Sequence, residues 1–257
     1  MKLYGWRPET IEQNNVLTAD RKFGSFLMTP GIKFGSVSGD IVDLRKYCSA
    51  VENQDKLSSC VGNAVVGALE LLESVEGLPY VELSRLFPYY NARSDMNEVD
   101  KDEGCNISIA MGTLNRHGVC REILWPYDVT NVFMQPSVKA YIDGFKHRAS
   151  NSFKIMSYGQ ELYESIVTAL RANHPVVFGA QIYSSLLKST GPVALPAGTS
   201  IGRHAMLIVG VDTTVNAFIV RNSWGQFWGD QGYCYIPIDY VLNSAEASDF
   251  WIVALYK

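Results

Sequence analysis

The 257-residue sequence has no apolar run near the roughly 20 residues that a membrane-crossing helix requires; its longest, such as Ala205–Val211, fall far short, which excludes a helical span. It also has no basic block. Twenty-two Lys and Arg stand against 26 Asp and Glu, a net charge of -4, so the electrostatic footprint of a nucleic-acid binder is missing and an anionic membrane surface is no better supported. Met1-Lys2-Leu3-Tyr4-Gly5-Trp6-Arg7 carries positive charge, but no 7–15 residue apolar stretch follows it. No secretory signal is therefore expected, and the cytoplasm is the default location. Internal repeats and low-complexity tracts are absent. No Cys and His cluster has zinc spacing, so neither a metal nor a cofactor is expected. Cysteines are few and odd in number: Cys48, Cys60, Cys105, Cys120 and Cys234. With 47% hydrophobic residues a disulfide scaffold is not needed, and at least one thiol must be either a buried apolar group or a reactive one.

Two patterns divide the chain. Residues 1–41 form a leader with little periodicity, broken by Pro8, Gly24, Pro30, Gly31, Gly35 and Gly39, and the folded body is expected to start near Val42. Val61, Ala64, Val65, Ala68, Leu69, Leu72 and Val75 follow helical spacing until Gly77-Leu78-Pro79, which predicts a buried helix with Ser58 and Ser59 as candidate caps. Further helices are expected at Ser84–Arg93, Ile107–His117 and Gln160–Asn173. After about residue 150 short Val-, Ile-, Phe- and Tyr-rich segments predict strands at Pro175–Tyr183, His204–Asp212, Ala217–Asn222, Gly232–Ile236 and Phe250–Leu255. A mainly helical part (42–149) followed by a mainly β part (150–257) predicts an α+β fold of two lobes with a ligand cleft between them.

Cysteine nucleophiles need a thiolate, a base to hold the proton and a group to orient that base. Cys60 stands at a helix start, where free N–H groups and the positive end of the dipole gather. His204 opens an apolar strand 144 residues later, and Asn222 ends the next one. An antiparallel hairpin would set Asn222 beside His204.

Asn222-Ser223-Trp224-Gly225, then Trp228-Gly229, then Gly232-Tyr233 match the Asn-motif of the papain-like cysteine peptidases residue by residue. His204-Ala205 with Val209-Gly210 matches the His-motif, and Gln54 stands six residues before Cys60 as in that family. The resemblance covers about residues 42–257. It implies a papain-like two-lobed fold with a helical left lobe and a barrel-like β right lobe. It further implies Cys60 as nucleophile, His204 as base and acid, Asn222 as orienter, and Gln54 as an oxyanion donor beside the Cys60 N–H. Trp224 would cover the His204–Asn222 bond, and Gly104 would belong to the edge that binds substrate backbone. Separately from the resemblance, Arg203, next to His204, reads either as a charge that tunes the field of the cleft or as an exposed strand-end charge. The sequence departs from the family at Leu57-Ser58-Ser59-Cys60-Val61, where a cysteine is expected at position 57, and at Ile107-Ser108, where glycines are expected after Gly104-Cys105-Asn106. These departures resemble the short-leader bacterial and viral branch.

The resemblance implies an endopeptidase acting on protein or peptide substrates. A catalytically silent binding protein on the same fold, and an amidase or transpeptidase with the same chemistry, are the alternatives. Two further expectations concern surfaces. The leader either lies across the cleft and holds the enzyme latent, with Ser25-Phe26-Leu27-Met28 as the extended, substrate-like stretch, or pads the surface of one lobe. The acidic residues Asp95, Glu98, Asp100, Asp102 and Glu103 read as a solvated loop or as a rim that favours basic substrates.

Overall fold

The computed structural model describes residues 5–10, 24, 26, 41–187 and 197–255. Helix α1 (Cys60–Val75) is apolar on nearly every side because it is enclosed on nearly every side: it packs on helices α2 (Leu86–Asp95) and α3 (Ile107–Arg116) and on strands β4 (Ser200–Asp212) and β7 (Ala247–Leu255). It is the hydrophobic partition between the helical part and the sheet. A short helix, α4 (Val138–Gly144), completes the helical part.

The other strands are β1 (Ile41–Asp43), β2 (Ala149–Ile155), β3 (Val176–Tyr183), β5 (Ala217–Arg221) and β6 (Tyr233–Pro237). All pairings are antiparallel in the order β2-β7-β3-β4-β5-β6, with β1 added to β4. Helix α5 (Gly159–Arg171) packs against β2, β3 and β4, while α6 (Ser184–Leu187) and α7 (Ile238–Leu242) cap turns between strands. The fold is α+β, as the alternation of periods predicts.

The structure differs from the sequence expectations in three places. Strand β2 has no apolar alternation to announce it; its Ser152 and Lys154 are buried through pairing with β7 and through an ion pair. Phe26 is buried in helical backbone against Phe153 and His174, so it is not an extended cleft occupant; Ser25, Leu27 and Met28 lie outside the described residues. The acidic stretch is bonded rather than merely solvated: Asp102 accepts from the Ser58 N–H and the Tyr89 hydroxyl, Asp95 pairs with Arg116, and Glu98 and Glu103 both hold Arg7.

Candidate active site

Cys60 is the first residue of α1, so its N–H has no intrahelical acceptor. The loop in front of it carries no disulfide; the Asp102 carboxylate and carbonyl clamp Ser58 instead, at 2.9 and 3.0 Å. All five thiols are free. The β4–β5 hairpin brings His204 Nε2 to 2.7 Å from Asn222 Oδ1. The Ser223 N–H also donates to that oxygen at 2.7 Å, which fixes the amide orientation. Because Oδ1 only accepts, Nε2 carries the proton and Nδ1 is the lone-pair nitrogen. Nδ1 is buried with no hydrogen-bond partner. Cys60 Sγ accepts from the backbone N–H of Ala205, the residue after His204, at 3.4 Å. Trp224 stacks on His204 with ring centres 5.0 Å apart and covers the imidazole.

Gln54 is held on three sides by its surroundings. Its N–H donates to Ser223 O (2.8 Å), its Oε1 accepts from Ser223 Oγ (2.6 Å), and its Nε2 donates to Leu57 O (2.8 Å). That leaves one amide hydrogen on Nε2 uncommitted, as the Cys60 N–H is by its place at the helix start.

The cleft is occupied by the chain's own residues 5–10. Gly5 lies on the nucleophile: a Cβ built there would stand 2.5 Å from Cys60 Sγ and 2.4 Å from Ser58 O, so only glycine fits. The Gly5 N–H reaches Arg203 O at 3.3 Å, Gly5 O accepts from the Cys105 N–H at 2.9 Å, and the Arg7 N–H donates to Cys105 O at 3.1 Å. Gly104, with φ +82°, serves by having no side chain, since its Cβ would lie 2.0 Å from Gly5 O; Cys105 makes the backbone bonds. Arg203 contributes its carbonyl, while its side chain is exposed. The exposed side chain agrees with the reading of a strand-end charge. The Trp6 ring lies over Gly179, and its Nε1 donates to Asp249 at 3.1 Å. Glu9 is sealed beside it: Oε2 meets Lys154 Nζ at 2.5 Å, Oε1 accepts from the Ser108 N–H and Trp251 Nε1, and Lys154 also pairs with Asp249 at 3.1 Å. None of these leader contacts has a local sequence signal. Each depends on residues between 53 and 243 positions away.

Burial under the leader reverses the expectation of a ready thiolate. Desolvation pushes the Cys60 thiol up from 9.0 to about 12, and it pulls His204 down from 6.5 to about 4 against the Asn222 bond. The covered site therefore holds a neutral thiol and a neutral imidazole. His204 binds a proton less readily when covered, so its contribution to the covered state is complete above pH 6.5 and lost as pH falls toward 4, on the order of 3 kcal/mol in all. The thiol contributes below pH 9 and is lost toward 12. Leader protection is thus expected to be greatest between these limits. Hydrogen exchange of the Gly5 and Arg7 amides, corrected for intrinsic rates, should show about tenfold less protection at pH 5 than at 7.5, and His204→Gln should flatten that difference. Equal protection at both pH values in the parent chain would contradict this linkage.

Among the described residues no group of three or more metal-ligating side chains forms a site, and no helix is long and apolar enough to cross a membrane.

Residues 38–248 match the family described as papain family cysteine protease. A peptidase C1-like protein of Acanthamoeba polyphaga mimivirus is 34% identical over 269 residues, covering 97% of this chain and 86% of its own. Vignain of Vigna mungo is 28% identical over 78% of this chain, which spans only 54% of that relative. Xylellain, a cysteine protease from Xylella fastidiosa, superposes with a TM-score of 0.81 over 99% of this chain and 96% of its own, at 26% identity.

Proposed function

Because the chain belongs to the papain family of cysteine proteases, we propose that it hydrolyses peptide bonds with Cys60 as nucleophile, His204 as base and acid, and Asn222 as the orienter of His204. The observation that carries this reading is the His204 geometry: Nε2 is committed to Asn222, Nδ1 is left without a partner, and the next residue, Ala205, donates its N–H to Cys60 Sγ. In the open cleft Nδ1 takes the thiol proton and Sγ bonds to the substrate carbonyl carbon. The carbonyl oxygen gains negative charge, held by the Cys60 N–H and Gln54 Nε2. His204 then protonates the departing amine as the C–N bond breaks, and water, deprotonated by His204, releases the acid from the thioester.

The leader marks the substrate path and closes it. Among the described leader carbonyls, that of Gly5 is committed to the Cys105 N–H rather than to Gln54 Nε2, which donates to Leu57 O and keeps one hydrogen uncommitted. This arrangement supports occupation without cleavage. Gly104-Cys105 and the Arg203 carbonyl would bind substrate backbone, and the space over Gly179 now filled by Trp6 would take a large side chain. Trp224 acts on the base by stacking on it.

The test is product analysis. Incubating the purified chain with a peptide library is expected to give products with free carboxyl termini, and added amines should leave them unchanged. Amine-capped products as the main outcome would assign a transpeptidase. No products from chain whose leader has been displaced would contradict the peptidase reading.

A further inference from the structure

We propose that Tyr127 is a positioning residue of the oxyanion hole, its hydroxyl tying the Gln54 backbone to Ser59. The proposal rests on the peptidase reading above and goes beyond it to a residue that touches neither substrate nor nucleophile.

The two oxyanion donors come from separately built pieces of chain. The Cys60 N–H is fixed by α1, whereas Gln54 stands in the irregular segment 48–57, which contains one isolated bridge, Asn53 to Trp224, and no regular strand or helix. Ser223 anchors Gln54 to the sheet side. On the helical side the Gln54 carbonyl meets a 3.2 Å bond from the Leu57 N–H and a 2.8 Å bond from the Tyr127 hydroxyl. Tyr127 has a single hydroxyl proton, and a carbonyl only accepts, so that proton belongs to Gln54 O. The 2.6 Å contact between Tyr127 and Ser59 is then donated by Ser59 Oγ. One hydroxyl thus spans from the residue that supplies one oxyanion donor to the residue immediately before the other.

Two details separate this arrangement from ordinary packing. Ser59 occupies the N-cap position of α1 but makes no side-chain cap bond; its hydroxyl is diverted to Tyr127. Tyr127 is itself immobilised: the Arg85 guanidinium lies 4.4 Å from its ring centre, and its N–H donates to Glu122 at 2.5 Å. Arg85 also bonds Glu52, two residues before Gln54, so the network closes on the oxyanion segment. Burial pushes the Tyr127 hydroxyl up to about 12, which keeps the donated proton in place through the neutral range.

Tyr127→Phe keeps the ring, its volume and the Arg85 contact and removes only the tie. In the full-length chain carrying Gly5→Val to open the cleft, kcat is expected to fall about tenfold with KM unchanged, a fraction of the 10²–10³ lost when an oxyanion donor is deleted outright. A peptide aldehyde should weaken by the same factor, because its thiohemiacetal oxygen sits at those donors. Alkylation of Cys60 by iodoacetamide builds no oxyanion and should be unchanged. Ser59→Ala should shift aldehyde affinity in the same direction. The proposal is overturned if Tyr127→Phe lowers Tm but leaves aldehyde affinity intact, or if alkylation falls in parallel with it. Absence of peptide turnover in the parent chain, with Cys60 still alkylated, would count against the peptidase reading alone, and the aldehyde comparison would still decide the role of Tyr127.

Discussion

Cys60→Ala is expected to lower peptide hydrolysis by on the order of 10⁵–10⁶-fold while leaving the fold within about 1 kcal/mol of the parent. The size follows from the division of labour in the site. Without Sγ no acyl-enzyme forms, and what remains is the polarisation supplied by the Cys60 N–H and Gln54, neither of which the substitution removes. His204→Ala should be nearly as severe, since it removes the buried, unpartnered Nδ1 proposed to take the thiol proton, and Ala205 offers only a backbone N–H. Asn222→Ala should cost less, roughly 10²-fold, because it aims the ring and transfers no proton. Steady-state kinetics on purified variants, with Tm as a control for folding, measure all three. Turnover by Cys60→Ala at the parent rate would remove Cys60 from the mechanism.

Gly5→Val in the full-length chain is expected to raise the rate of Cys60 alkylation by about 10- to 100-fold at neutral pH. A side chain at Gly5 meets Ser58 O and Cys60 Sγ at 2.4 and 2.5 Å, one of them rigid backbone, so the leader must lift. Overpacking costs of about 1–3 kcal/mol correspond to one or two decades in the open population. Glu9→Ala should act in the same direction through different contacts, because it removes a buried carboxylate that binds Lys154, Ser108 and Trp251. An alkylation rate unchanged in both variants would show that residues 5–10 do not guard the thiol.

The pairing of His204 with Asn222 was legible in the sequence because their placement is nearly local. His204 and Asn222 sit on neighbouring strands of one hairpin, and the tryptophans and glycines that follow Asn222 mark where that hairpin turns. Helix α1 was legible from its period, to within one residue. The leader was legible only as a cleft-blocking expectation, and its attachment was assigned to Phe26 because large apolar side chains suggested binding. In the structure the residue on Cys60 is Gly5, chosen for the absence of a side chain, and its partners Arg203 and Cys105 lie far along the chain. Strand β2 was missed for a related reason: Lys154 reads as a surface residue until Glu9 and Asp249 close around it. The state of the thiol is not legible in the sequence: the helix start favours a thiolate locally, whereas the burial that raises the Cys60 thiol comes from residues distant in the chain. Tyr127 lies in Trp125-Pro126-Tyr127, an aromatic cluster whose signal was present, though its two partners come from elsewhere in the chain.

The most direct test of the whole account is covalent labelling with a peptidyl epoxide or vinyl sulfone, followed by mapping of the modified residue in the parent chain and in Gly5→Val. The expected result is a single label on Cys60, slow in the parent, faster in Gly5→Val, and abolished by His204→Ala. A label on Cys48, the one thiol that is not fully buried, or scattered over several cysteines with no dependence on His204, would contradict it.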